Sequence, residues 1–309
     1  MSWQLTLANA WMRVGVKPVL AHMHQVRLAR ALLDHVAPKV FRAPPLSLFR
    51  WESLSPGLRA LRTSNRPGSH PPLPGKVLLY FHGGGFIAGS PLTHRHMLAR
   101  LSRMTRVEVV APRYRLAPEH PFPAAFEDAC AAFDALMTQG YAAEDVILGG
   151  DSAGGSMALA LLAHLCAEGH TPRALFAFSP LTDMTFSGRS FRTNAKADPC
   201  LPASRSGLIA DWVLAGADPA DPRISPLFAE FTAPPPVFLQ FGDTEILRDD
   251  SRRMAERLHA AGGDVSCDEW ANCPHVWALM DGLVPEARKA LTRVAGFVNA
   301  QFGCEKASR

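Results

Sequence analysis

No Cys-x-x-Cys pair occurs in this chain, and none of its six cysteines stands at a Cys/His ligand spacing. That argues against a zinc site. Dense runs of Lys or Arg are also missing. The 32 basic and 28 acidic residues leave a net charge of +4, which fits a solvated surface and not a nucleic-acid footprint. No apolar span reaches the length of a membrane helix. Residues 1–30 are moderately apolar, but Arg13, Lys17, His22, His24, Arg27 and Arg30 interrupt them. A secretory signal and a stable membrane insertion are therefore not expected. The sequence also shows no extended lipid-binding surface. Internal repeats and low-complexity segments are absent. Cys130 and Cys166 fall in predicted helices and read as small buried hydrophobes. Reduced thiols and a cytoplasmic location are expected. What is present is 309 residues, 48% hydrophobic and 19% charged, ordinary for a globular protein and long enough for one large α/β domain without disulfides.

Apolar positions between Leu5 and Leu32 recur near helical spacing, predicting one or two helices over 1–36, with a break or kink at Pro18. This region reads either as a packed surface helix or as a lid. Residues 37–75, rich in Pro, Ser and Arg, suit an irregular stretch with an early strand pair. Buried strands are predicted at 76–81, 107–111, 144–149, 175–178, 237–241 and 265–270, and helices at 94–105, 124–139, 157–166, 248–261 and 285–302. Strands alternating with helices indicate a mostly parallel sheet with helices on both faces. Between 183 and 230 the pattern loosens into polar turns, prolines and a short apolar piece at 208–214, as an insertion would.

The chain is organised around Gly150-Asp151-Ser152-Ala153-Gly154, which stands between an apolar run and a helix-forming run. This is the context of a nucleophile elbow, where a serine on a tight turn is held up at the end of a sheet. The flanking glycines are needed because side chains there would collide with the neighbouring strand and helix. A second motif, His82-Gly83-Gly84-Gly85, follows a predicted strand. Consecutive glycines leave backbone N–H groups free to point at a developing oxyanion. A serine hydroxyl needs an imidazole to take its proton and a carboxylate to orient that imidazole. The order Ser, acid, His is available. Acidic residues follow the 237–241 strand, and His275 lies in a loop after the last strand. His259, within a predicted helix, reads as solvated or capping. Two carboxylates, Asp243 and Glu245, are candidates for the acid.

His82-Gly83-Gly84-Gly85, the proline-rich loop from Tyr114 to Pro123, the serine pentapeptide and Pro274-His275 together resemble the hormone-sensitive-lipase-like esterases of the α/β-hydrolase superfamily. Bacterial members of that family are assigned to family IV. The resemblance spans about residues 75–300 and includes Ser179-Pro180. It implies an α/β-hydrolase fold with a helical cap: 1–45 as the N-terminal part of the cap, 46–184 and 231–309 as the core, and 185–230 as the cap insertion. It also implies a carboxylic-ester hydrolase without cofactor or metal, acting on small-molecule esters of short to medium acyl chain through a serine acyl-enzyme. Ser152 and His275 would be catalytic, and the amides of Gly83, Gly84 and Ala153 would form the oxyanion hole. Family members commonly read Asp-Pro-Leu-x-Asp at the acid. Laid on Leu247 and Asp249, that pattern puts the triad acid on Glu245 and makes Asp243 a turn residue. His82 would be structural, Asp151 would brace neighbouring loops, and Glu119 would be a scaffold contact. Non-enzymatic relatives that resemble these esterases have lost the histidine that His275 retains. The last strand and final helix are expected to form the edge of a homodimer.

Overall fold

The computed structural model describes residues 1–22, 25–65 and 73–303. Met23, His24 and Cys304, which the sequence reading used, lie outside the described residues. The strands are β1 (Ser47–Ser55), β2 (Leu58–Asn65), β3 (Val77–Phe81), β4 (Glu108–Pro112), β5 (Val146–Asp151), β6 (Ala174–Phe178), β7 (Val237–Gly242) and β8 (Val265–Trp270). They form one sheet in the order β1-β2-β4-β3-β5-β6-β7-β8. β1 and β2 run antiparallel to the neighbours they pair with, while every pair from β4 across to β8 is parallel. Runs such as Val77-Leu78-Leu79-Tyr80-Phe81 are apolar without alternation because helices cover both faces. Leu79, Phe81 and Leu148 pack into one core, and Leu78, Tyr80 and Ile147 into the core on the opposite face.

The helices are α1 (Trp3–Trp11), α2 (Lys17–His22), α3 (Val26–Val40), α4 (Pro91–Thr105), α5 (Ala124–Thr138), α6 (Ala153–Ala167), α7 (Arg189–Thr193), α8 (Ser206–Leu214), α9 (Arg248–Ala260) and α10 (Pro285–Gln301). Two departures from expectation have local causes. α4 starts at Pro91, three residues before the predicted His94, because Ser90 caps it, Thr93 closes a capping box and Pro91 suits the first helical position. Pro18 does not break the chain's helical path. A π-helical stretch at Met12–Val16 joins α1 to α2, and Pro18 sits in the first turn of α2, where a missing N–H is tolerated.

The order in which strands are laid down reverses around β3. The connection through α4 leads to β4 on one side of it, and the connection through α5 leads to β5 on the other. A crevice opens at the carboxyl ends of strands at such a switch point. His82 follows β3 there, Ser152 follows β5, Asp243 and Glu245 follow β7, and His275 lies in the loop after β8.

Candidate active site

Ser152 joins β5 to α6 with φ 52° and ψ −122°, a conformation few residues tolerate. Its amide donates to Phe178 O at 2.9 Å, and its carbonyl accepts from Leu181 and Ser156, so the turn is held from three sides. A Cβ on Gly150 would stand 2.3 Å from Gly154 O, and one on Gly154 would stand 2.1 Å from Phe81 O. The pentapeptide needs both glycines for these close approaches. Ser152 is half-buried, and Ala153 behind it opens α6. The Ala153 amide is one of the helix's first N–H groups, which have no intrahelical acceptor and favour negative charge.

His275 Nδ1 lies 2.7 Å from Glu245 Oε2, and the Glu245 side chain is fully buried. Burial works against a charged imidazole, but the Glu245 carboxylate outweighs it, so the pKa of His275 stands above the usual 6.5. The other Glu245 oxygen accepts from Gly242 N at 2.5 Å and from Ser179 Oγ at 2.8 Å. Ser179 Oγ also accepts from Val276 N at 3.2 Å, so one hydroxyl ties the carboxylate to the histidine loop. Asp243 does not reach the imidazole by a hydrogen bond. Its carboxylate accepts from Asn272 N at 2.7 Å, and its amide donates to Trp270 O. Among the described residues, Ser152 Oγ has no hydrogen bond to His275. Such bonds are often long before substrate binds.

Asp151, almost fully buried, accepts from Tyr80 Oη at 2.8 Å and Gly83 N at 3.0 Å, and meets His94 Nε2 at 3.1 Å. Burial opposes its charge, but His94 and the Tyr80 hydroxyl hold its pKa below the ordinary carboxylate value. The pKa of His94 rises in turn, because Asp151 outweighs its own desolvation. His82 is also buried. Desolvation, helped by the nearby His94, lowers its pKa to about 3, so it is neutral and its Nδ1–H donates to Gly83 O. Tyr114 stacks on His82 and donates its hydroxyl hydrogen to His82 O at 2.6 Å. Glu119 ties the proline-rich loop to α3 through Arg27 and Arg30.

One expected donor is corrected. The Gly83 amide is buried and engaged by Asp151, so it is not free to face an oxyanion. Gly84 is exposed and Gly85 half-buried, and among the described residues neither amide has an acceptor. Sequence reading also missed Ser179, Asn194 and Asp198. Asn194 Nδ2 donates to Asp243 O and Glu245 O, and Asp198 Oδ2 accepts from Ile246 N at 2.9 Å. Only the Ser179-Pro180 dipeptide left a signal in the sequence. Among the described residues, no group of three or more His, Cys, Asp or Glu is placed to hold a metal ion.

A family described as "alpha/beta hydrolase fold" matches residues 78–279. An acetyl-hydrolase of Streptomyces hygroscopicus is 38% identical over 230 residues, covering 74% of this chain and 77% of that protein. An esterase of Acinetobacter venetianus is 35% identical over 228 residues, covering 73% and 75%. The crystal structure of an esterase from the bacterial hormone-sensitive lipase family superposes with a TM-score of 0.89 at 35% identity, covering 98% of this chain and 99% of that one. With the sheet order and the elbow geometry, these likenesses establish the chain as a carboxylesterase of the hormone-sensitive-lipase family, within the α/β-hydrolase fold.

Proposed function

We propose that the chain hydrolyses esters of short to medium acyl chain through a covalent acyl-serine, with Ser152 as nucleophile, His275 as general base and acid, and Glu245 as orienting carboxylate. The observation that carries this reading is the buried Glu245–His275 contact of 2.7 Å, set beside the strained serine turn at the same edge of the sheet. His275 Nε2 takes the Ser152 proton as Oγ attacks the acyl carbon. The amides of Gly84, Gly85 and Ala153 receive the negative charge of the tetrahedral intermediate. The imidazolium then protonates the departing alkoxide, leaving the acyl-enzyme. Water, deprotonated by the same histidine, attacks the acyl carbon, and the second intermediate expels Ser152, which regains its proton from His275. Removing one oxyanion donor typically costs about 10²–10³ in rate.

The short-to-medium acyl range rests on limited room. Residues 1–45 and 185–230 act as a cap of modest size over the carboxyl ends of the strands. The printed name of the Streptomyces relative, an acetyl-hydrolase, points the same way. The test is a panel of p-nitrophenyl esters from acetate to palmitate. Activity should peak at roughly C4–C8 and vanish in folded Ser152→Ala, consistent with a triad nucleophile. Preference for emulsified long-chain triglycerides would overturn the acyl range, and full turnover by Ser152→Ala would overturn the mechanism.

A further inference from the structure

His94 stands in the first turn of α4, its ring buried against the end of β5. Its Nε2 faces both oxygens of Asp151, at 3.1 and 3.3 Å. Its Nδ1 faces Ser90 O at 3.2 Å and Thr93 Oγ1 at 2.8 Å. The Thr93 hydroxyl hydrogen already goes to Ser90 O at 2.7 Å, so toward His94 that oxygen presents a lone pair. Every partner of the two ring nitrogens is thus an acceptor. Both nitrogens must carry hydrogen, which makes His94 an imidazolium. Against desolvation, Asp151 also leaves its pKa above the usual 6.5. A cation is otherwise misplaced there, since burial and a helix N-terminus both disfavour positive charge. A carboxylate in contact offsets the two.

Asp151 has the converse problem. It directly precedes Ser152, and its carboxylate holds Gly83 N at 3.0 Å. A Cβ on Gly83 would stand 2.1 Å from Oδ2, so the carboxylate lies directly against the glycine loop. The Gly84 amide, proposed as an oxyanion donor, belongs to the next residue. The oxyanion would therefore form beside a buried negative charge, and like charges repel strongly where water is excluded. Tyr80 Oη and Gly83 N donate hydrogen bonds to Asp151 but bring no charge. His82, with its ring centroid 5.7 Å from that of His94, is neutral. Among the described residues, His94 is the cation paired with Asp151.

We propose that His94 is a positioning residue for ester hydrolysis. Its imidazolium neutralises Asp151, so that the carboxylate can pin the glycine loop without opposing the negative charge of the tetrahedral intermediate. This rests on the acyl-serine reading and adds to it that the charge of His94, beyond its packing, sets the rate of the chemical step.

The test is steady-state turnover of p-nitrophenyl butyrate by His94→Gln, by Asp151→Asn and by the two combined. His94→Gln leaves Asp151 a hydrogen-bond donor but no countercharge. Its kcat should fall about 30-fold or more with KM within about threefold, because the opposed charge exists only in the transition state. Asp151→Asn keeps an oxygen for Tyr80 and Gly83 and removes the negative charge, and the buried imidazole then gives up its proton. This variant and the combined one should both stay within about tenfold of the unaltered protein, so the second substitution rescues the first. A packing role for His94 gives no such rescue. Inhibition by a trifluoromethyl ketone, whose serine adduct carries the oxyanion, should rank the proteins in the same order. A smaller loss in His94→Gln, or a combined variant no faster than it, overturns the proposal. Should His94→Gln not fold, the other two decide, and a loss above about tenfold in either overturns it. Turnover retained by Ser152→Ala would instead remove the acyl-serine reading. An inactive Ser152→Ala beside an unchanged His94→Gln removes this proposal and leaves that reading standing.

Discussion

His275 sits between two opposing influences, burial that disfavours its charge and Glu245 that favours it, and the carboxylate wins. Only the neutral imidazole can take the serine proton, so kcat/KM should rise with pH through a midpoint above 6.5 and level off on the alkaline side. The stability effect has the opposite sign. A histidine whose folded pKa is raised contributes stability fully below about 6.5, its unfolded value, and loses it as pH rises through the folded pKa. A profile with its midpoint below 6.5 would contradict the Glu245 pairing. Glu245→Gln should lower kcat by about 10⁴, the scale seen when a triad carboxylate becomes an amide, because the amide can no longer stabilise the imidazolium. Asp243→Asn should do far less, since its oxygen can still accept from Asn272 N. Steady-state kinetics of the two folded variants decide between the carboxylates, and the reverse ranking would move the acid to Asp243. Placing Glu245 from sequence needed an assumed register with the following helix, because Asp243 lies nearer the strand end. Ser179 was harder still to assign. Its hydroxyl acts between Glu245 and Val276, 66 and 97 residues away, and no local pattern encodes such a bond.

At the scale of elements, legibility followed punctuation and burial. β8 was read to its residue limits because an apolar and polar run stands between Gly262-Gly263 and the Asn272 turn. The inner strands were legible to within one or two residues, β5 running 146–151 where 144–149 is expected, since burial on both faces demands unbroken apolar runs. The start of α4 was missed because Ser90-Pro91-Leu92-Thr93 carries its signal in caps, not in hydrophobic periodicity. Residues 183–230 stayed obscure for another reason. They are anchored by buried carboxylates bonding to backbone: Asp250 accepts from Thr182 and Asp183 N, and Asp198 from Cys200, Leu201 and Ile246 N. Such anchors have no period. The glycine loop shows a third case. Its role was legible, but which amides are free depended on Asp151, 68 residues away, claiming Gly83.

At the scale of the whole molecule, the sheet ends in two edge strands, β1 and β8, and they differ as sites for pairing with another copy. An open edge offers unpaired backbone groups, and proteins blunt such edges with bulges, charges or prolines. β1 is blunted: its register shifts between Ser53 and Ser55, Pro44 and Pro45 precede it, and Arg50 projects from it. β8 pairs with β7 in unbroken register over all six residues, and its exposed side chains are Ser266, Cys267 and Glu269, the last paired with Arg252 on α9. We propose that two chains associate through β8 and α10. Light scattering at micromolar concentration should then give twice the 33.5 kDa chain mass. Ser266→Lys with Cys267→Lys should return the mass to that of one chain, because a two-fold axis would set like charges against each other. Both residues are exposed, so turnover of dissolved esters should persist in the variant. A single-chain mass for the unaltered protein across that concentration range would remove β8 as an interface.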